Sequence, residues 1–225
     1  MVILGLTGGF HFGSSDASCT ILKNGKILAS IEEERLTRIK NSFSIPPSKC
    51  IKTALEVANI EIDDVDHIAL FVGNYPEAID EMHAHICSLF GVCPPISLVD
   101  HHLCHAASSY YASGFKKATV ITFDYSGDGI SSSIWTGIGD KLTLVEKIEK
   151  PNSLGMYYAA MTQFLGFERG DEYKVMGLSS YGDPVVNLDR VLDPSEPVYQ
   201  LNTELFDPNC RSMNQLIINN KLKNW

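Results

Sequence analysis

The sequence predicts an α/β fold built by duplication of one strand–hairpin unit. Three observations carry that expectation. Apolar runs of strand length alternate with stretches of helical period, and glycine and proline punctuate the joins. An order of strand, glycine turn and hairpin occurs twice. In the first unit, Val2 to Thr7 is an apolar run ending in Gly8-Gly9. Residues 17–22 and 26–31 flank Asn24-Gly25, a dipeptide that accepts the positive φ angles of a two-residue hairpin turn. Pro46-Pro47-Ser48 opens a helix through about residue 58, with Ile51, Ala54, Leu55 and Ala58 on one face. A buried-type strand over 68–72, a helix over 77–90 and a short strand over 96–99 complete the unit.

The second unit repeats the order. Residues 118–123 form a strand, 124–129 a turn, 130–136 a returning strand and 142–148 a third strand. A helix over 154–164 follows, then a glycine-punctuated stretch over 166–182. The repeat is the arrangement expected of the actin-like ATPase (ribonuclease H-like) fold, in which two such hairpins face each other and hold phosphates. The expected division is a first lobe over 1–115, the start of a second over 116–183, and an incomplete tail over 184–225.

Composition bounds the chemistry. The chain has 225 residues, 44% of them hydrophobic, enough for one large domain or two lobes. Lys and Arg total 18 against 27 for Asp and Glu, a formal charge of −9. Such a chain repels phosphate backbones at long range, which excludes a general nucleic-acid binder. Six cysteines without a CxxC pair and no signal-like leader point to reduced thiols and a cytoplasmic location. No window approaches the roughly 18 apolar residues of a membrane span.

Five stretches carry candidate chemistry. In Asp100-His101-His102-Leu103-Cys104-His105, a helix capped by Asp100 would put His101 and His105 at i and i+4 on one face. Two imidazoles so spaced can share a divalent metal, with Asp124 at a strand end as the carboxylate; such a set suits iron(II) or zinc. The alternative is a helix start with hydrogen-bonded histidines. His83 and His85 point apart at spacing two, and they, like His67, read as structural. The turn 124–129, with Gly127, Asp128 and Gly129, and the first turn with Gly8 and Gly9 can bring backbone amides to a phosphate. A hairpin turn explains the former equally. The charge run from Glu32 to Lys40 is either a solvated edge or an anion site using Arg35, Arg38 and Lys40. Lys174, near Gly177, would touch a nucleotide or pair with Glu172.

Together ILGLTGGFH…DAS, EEERLTRIK, DHHLCHAASSYYASGF, ITFDYSGDG and SLGMYYAAMTQFLGFERGDEYKVMGLSSYG, in this order over roughly 1–183, resemble the O-carbamoyltransferases of nodulation-factor and antibiotic biosynthesis. The resemblance implies an amino-terminal domain similar to the tRNA threonylcarbamoyl transferase. That domain moves a carbamoyl group from carbamoyl-adenylate to a hydroxyl of a small-molecule acceptor. A separate carboxy-terminal domain makes the adenylate from ATP and carbamoyl phosphate. By position His101, His105 and Asp124 match the family's metal ligands, iron(II) being the expected ion ahead of zinc or manganese. A further aspartate ligand would lie beyond Trp225. Family members carry a histidine directly before the aspartate of the first turn. Here Ser15 precedes Asp16 and the nearest histidine is His11, so the acid/base candidates are His11 and Asp16. Family proteins are much longer, so the chain is expected to be a truncated product, or half of a split or homo-oligomeric enzyme, inactive alone. The alternatives are a sugar or acetate-type kinase of the same superfamily and a non-catalytic nucleotide-binding half.

Overall fold

The computed structural model describes residues 1–9, 15–73, 75, 77–183, 191–193 and 199–202. The chain divides into two compact units, residues 1–104 and 105–225. The division falls inside one helix.

In the first unit a five-stranded sheet has the order β3-β2-β1-β4-β5. Its strands are β1 (Val2–Thr7), β2 (Ser18–Lys23), β3 (Lys26–Glu32), β4 (His67–Phe71) and β5 (Ile96–Leu98). β1 is antiparallel to β2 and parallel to β4, and β5 joins β4 in parallel. Val2, Leu4 and Leu6 are buried while the residues between them are half-buried, the period of a strand covered mainly on one face. The hairpin closes as its dipeptide requires: Asn24 and Gly25 take φ of 51° and 78° between the paired Lys23 and Lys26.

Three helices cover this sheet's core: α1 (Glu33–Thr37), α2 (Ser48–Ala58) and α3 (Ala78–Phe90). α2 buries Cys50, Ile51, Ala54 and Leu55, and α3 buries Met82 and Ile86. The charge run is not a solvated edge throughout. Glu33 is 1% exposed, and its carboxylate accepts the N–H groups of Lys49 (3.2 Å) and Cys50 (2.7 Å) in the first turn of α2. The cap residue of α2 is Pro47, which has no side-chain acceptor, so a carboxylate from a neighbouring element does the capping. Cys50 and Cys19 are buried beside it. Burial pushes the Cys19 thiol up to about 12, and the Glu33 charge adds to this. Burial likewise raises Cys50.

Helix α4 (His101–Ser113) carries the division. In the second unit β6 (Lys117–Gly127), β7 (Ile130–Ile138) and β8 (Lys141–Glu149) form an antiparallel meander. The expected turn over 124–129 is shorter than the sequence reading. β6 runs on to Gly127, and only Asp128 (φ 52°) and Gly129 (φ 87°) turn the chain. This repeats the geometry of Asn24-Gly25, and the meander repeats β1-β2-β3. The α/β class and the twofold occurrence of one strand–hairpin unit, both expected from the sequence, are what is observed. Buried Ser133 on β7 bonds Thr122 of β6 at 2.7 Å and takes the Trp135 indole N–H at 2.6 Å, so a polar row is satisfied inside the sheet.

After the meander come α5 (Leu154–Phe164) and α6 (Glu172–Ser179), then the short pair β9 (Leu192–Asp193) and β10 (Gln200–Leu201). The glycine-punctuated stretch 166–182 therefore contains a helix. Val191 and Leu201, from the expected tail, bury against Met156 and Ala160 of α5. The Leu201 N–H bonds Asn152 Oδ1 at 3.1 Å. Among the described residues no helix is long and apolar enough to cross a membrane.

The amino end of α5 is pinned to β6. Ser153 caps the helix by accepting the Met156 N–H (3.0 Å), and its hydroxyl donates to the carbonyl of Tyr125 (2.8 Å). A Cβ on Gly155 would stand 2.7 Å from Tyr125 Cα and 3.0 Å from Tyr125 N, a separation real side chains do not adopt. Glycine is required there by close approach of backbone to backbone.

Two consequences follow for stability. Glu33→Ala leaves two first-turn N–H groups of α2 without their buried acceptor and should lower stability by about 2–4 kcal/mol, with Glu33→Gln costing roughly half, read from urea midpoints. A midpoint unmoved by Glu33→Ala would remove the cap from the account. Gly155→Ala should destabilise by about 1–3 kcal/mol through overpacking. Gly177→Ala in α6, where nothing lies within 4 Å of the added Cβ, should instead be neutral or stabilise by up to about 1 kcal/mol. Equal shifts for the two alanines would contradict the close-approach reading.

Candidate metal centre

Helix α4 begins as its cap predicts. The Asp100 carboxylate accepts the Leu103 N–H at 2.9 Å, and the Cys104 N–H bonds the Asp100 carbonyl at 3.0 Å. The first helical residue is thus His101, and His101 and His105 stand one turn apart on one helix. His101 packs edge-on against the Phe71 ring at the end of β4, with centroids 4.8 Å apart. Its neighbour His102 is turned inward and is 1% exposed.

Within the second unit His105 meets Asp124. His105 Nε2 lies 3.6 Å from Asp124 Oδ2, the histidine side chain half-exposed and the carboxylate about one quarter exposed. The other carboxylate oxygen of Asp124 accepts the Tyr125 N–H at 2.6 Å, which fixes the plane of the group. Asp124 projects where β6 leaves its ladder: pairing with β7 lapses between Phe123 and Gly127. Ser153 and Gly155 of α5 hold that interruption in place. Two donors, each about 2.1 Å from one ion at tetrahedral angles, lie roughly 3.4 Å apart, so the observed spacing fits a shared first-row metal. An imidazole nitrogen and a carboxylate oxygen are also a donor pair that iron(II), zinc and manganese accept.

The other candidates are placed as follows. Gly8 takes φ 86°, and a Cβ there would be 2.4 Å from the Ala17 side chain, so this glycine serves packing of the first turn. Gly9 approaches Tyr75 and Val72. Asp16 has φ 58°; its N–H bonds the Asn41 carbonyl, and its carboxylate accepts the Ser15 hydroxyl at 2.6 Å. His11 lies outside the described residues. Arg35 is spent on Glu32 (2.7 Å) and Glu34 (3.4 Å), which weakens the anion-site reading of that run. Arg38 is the left-handed C-cap of α1, and Lys40 is exposed. Gly127 pairs with Ile130 around the Asp128-Gly129 turn. Lys174 pairs with Asp171 at 2.7 Å, not with Glu172; that bond raises the ammonium pKa and lowers the carboxyl. Gly177 sits inside α6. His85 bonds Ser48 at 3.1 Å, its pKa lowered by burial, and His67 bonds Ser97 at 3.0 Å. Arg169 was not among the sequence candidates. Its guanidinium lies 5.3 Å from the centroid of the Tyr125 ring, next in the chain to Asp124.

The family described as carbamoyltransferase N-terminus matches residues 3–85 and 75–221. Nodulation protein NolNO of Sinorhizobium fredii is 33% identical over 222 residues, covering 84% of this chain and 32% of that protein. The uncharacterized protein sll1178 of Synechocystis is 30% identical over 246 residues, covering 91% of this chain and 39% of that protein. The chain therefore spans about a third of the length of these relatives. Solved structures similar to it include YeaZ from Pseudomonas aeruginosa (TM-score 0.41, 16% identity, 67% of this chain and 68% of that one). Another is the ROK hexokinase from Thermus thermophilus (TM-score 0.45, 12% identity, 82% and 70%). With the family match running from the first strand to beyond the last, the chain belongs to the carbamoyltransferase amino-terminal family.

Proposed function

We propose that this chain is the amino-terminal part of an O-carbamoyltransferase, which moves a carbamoyl group from carbamoyl-adenylate to a hydroxyl of a small-molecule acceptor. The observation that carries the reading is the 3.6 Å contact of His105 with Asp124, on a helix that also bears His101 one turn earlier. A structural histidine pair has no need of a carboxylate so presented, and phosphoryl transfer by a sugar or acetate-type kinase has no use for two imidazoles. These residues would hold iron(II), with His101 as the second imidazole; when bound, the ion supplies Lewis-acid stabilisation of negative charge on the donor.

The chain's own residues then have definite tasks. Asp124, its plane set by the Tyr125 N–H, keeps its second oxygen directed at His105. The acceptor oxygen bonds to the carbamoyl carbon as the bond from that carbon to the adenylate phosphate oxygen breaks, releasing AMP. The hydroxyl proton passes to a base, for which the sequence offers Asp16 and His11 as candidates. Carbamoyl phosphate and ATP are the ultimate donors in the full-length system.

Metal uptake tests the site. Under anaerobic conditions the purified chain should bind about one iron(II), and His105→Ala or Asp124→Asn should weaken uptake by at least about tenfold, since even outer partners of metal ligands cost roughly 10–100-fold. His83→Ala, on a helix remote in sequence, is the control and should change nothing. Uptake unaltered by both site variants would reject the centre. In the full-length parent, supplied with ATP, carbamoyl phosphate and a hydroxyl acceptor, Asp124→Asn should lower carbamoyl ester formation by about a hundredfold or more if charge at the ion matters as argued. Acceptor phosphorylation in place of carbamoylation would overturn the reaction class.

A further inference from the structure

One face of the meander in the second unit is apolar and open. Direct partners in an antiparallel ladder point to the same side. The pairs Lys117–Ile138, Ile121–Ile134 and Phe123–Ser132 therefore share one face of β6 and β7. Ile134 also pairs with Glu146 of β8, and the register shift between Ile134 and Trp135 leaves Val145 as the extra residue beside it. Ile121, Phe123, Ile138 and Val145 are exposed by 53%, 57%, 56% and 59%. The opening strand of the first unit, β1, has no exposed residue at all. A contiguous apolar patch of this kind marks a surface that something covers.

The chain itself leads onto this face. The Tyr199 and Ser132 hydroxyls bond at 2.9 Å, and Ser132 is buried while its ladder partner Phe123 stays open. Leu201 packs against α5, and its N–H holds Asn152 Oδ1. The stretch that follows, 203–225, thus begins beside the open patch.

Its sequence suits the patch in pattern and in length. Ile218, Leu222 and Trp225 recur at i, i+4 and i+7, one stripe of a helix. A helix over 213–225 is too short to be stable alone in water and needs a surface to hold it. It would be about 20 Å long and about 10 Å wide. Strand β6 from Lys117 to Phe123 is about 20 Å long, and two neighbouring strands are about 10 Å across. The ten residues 203–212 reach about 33 Å when extended, so the link does not limit the approach. Lys221 flanks the stripe and Glu146 borders the patch, opposite charges at the margin of the contact.

We propose that residues 213–225 dock as an amphipathic helix on the patch of Ile121, Phe123, Ile134 and Ile138, with Ile218, Leu222 and Trp225 facing the sheet. The docked segment closes the second sheet as α2 and α3 close the first. Neither the metal centre nor the reaction class enters this inference.

Fluorescence of Trp225 in the full chain tests it. The chain has two tryptophans, so Trp135→Phe leaves Trp225 as the sole emitter. In that protein Trp225 should emit at shorter wavelength, and resist acrylamide quenching better, than after unfolding in urea. Ile121→Asp and Ile138→Asp should move the emission to longer wavelength and open the indole to acrylamide. Ile27→Asp, at an exposed isoleucine on β3 of the first unit, should change neither. A dye that binds exposed apolar surface, ANS, gives a second measurement with Trp135 kept. Leu222→Asp should raise its binding above wild type, and Asn220→Asp, on the opposite side of the helix, should not. The docking is overturned if Trp225 in the native chain already emits and quenches as in urea, or if dye binding ignores Leu222→Asp. It is also overturned by a dimer that Ile121→Asp splits while Trp225 stays open to acrylamide, since a second copy would then cover the patch.

Discussion

Much of the second unit depends on one break in a hydrogen-bond ladder. Strand β6 stops pairing with β7 after Phe123 and resumes at Gly127. Residues released from a ladder expose backbone groups that must find partners if they are to stay put. Here they do so locally: the Tyr125 N–H goes to the Asp124 carboxylate, and the Ser153 hydroxyl donates to the Tyr125 carbonyl while capping α5. The absence of a side chain at Gly155 lets the helix end come close enough for that. A regular strand here would have placed Asp124 by simple alternation. The interruption frees its orientation and leaves it 3.6 Å from His105.

The first unit solves an analogous problem with a charge. Helix α2 starts at Pro-Pro, a good way to set φ and a poor way to satisfy first-turn amides, because proline brings no side-chain acceptor. Glu33 reaches in from α1 to supply it, at the cost of burying a carboxylate. The two hydrogen bonds and the helix dipole offset that desolvation. Cys19 and Cys50, held beside the same carboxylate, have their thiols raised and are correspondingly poor nucleophiles.

Those two devices mark the limit of what was legible from residues alone. Hairpins were readable because Asn24-Gly25 and Asp128-Gly129 encode turn geometry in adjacent residues, α2 was readable from its apolar period and its Pro46-Pro47-Ser48 start, and the helices expected over 77–90 and 154–164 are found as α3 and α5. The start of α4 at His101 was readable because its cap, Asp100, is adjacent in sequence. Glu33 was not, since nothing local distinguishes it from Glu32 or Glu34; its partners are sixteen and seventeen residues away. Helix α6 was missed because Gly177 and Ser179 dilute an apolar stripe that is only eight residues long. The turn over 124–129 was drawn too wide because a broken ladder and a loop look alike in one dimension. In the candidate metal centre the placing of His101 and His105 on one helix followed from spacing, and Asp124 was picked out by its place at a strand end, while Arg169 carried no periodic or motif signal and became visible only through its approach to the Tyr125 ring.

That stacking gives the break in β6 a second use. Asp124 and Tyr125 are consecutive, yet one faces an imidazole and the other a guanidinium. Both are held by the same few atoms of Ser153 and Gly155, so the two cannot move independently: a shift of the α5 amino end displaces the carboxylate and the stacking platform together. Consecutive residues that share one backbone anchor keep a fixed separation without any direct contact between them. Fixed separation matters for any group-transfer site, because positioning of reacting groups supplies a large share of the barrier reduction. Gly155 is therefore a constraint on the orientation of Asp124 and Tyr125 as well as a packing one, and a larger residue there would shift both before it unfolded the helix.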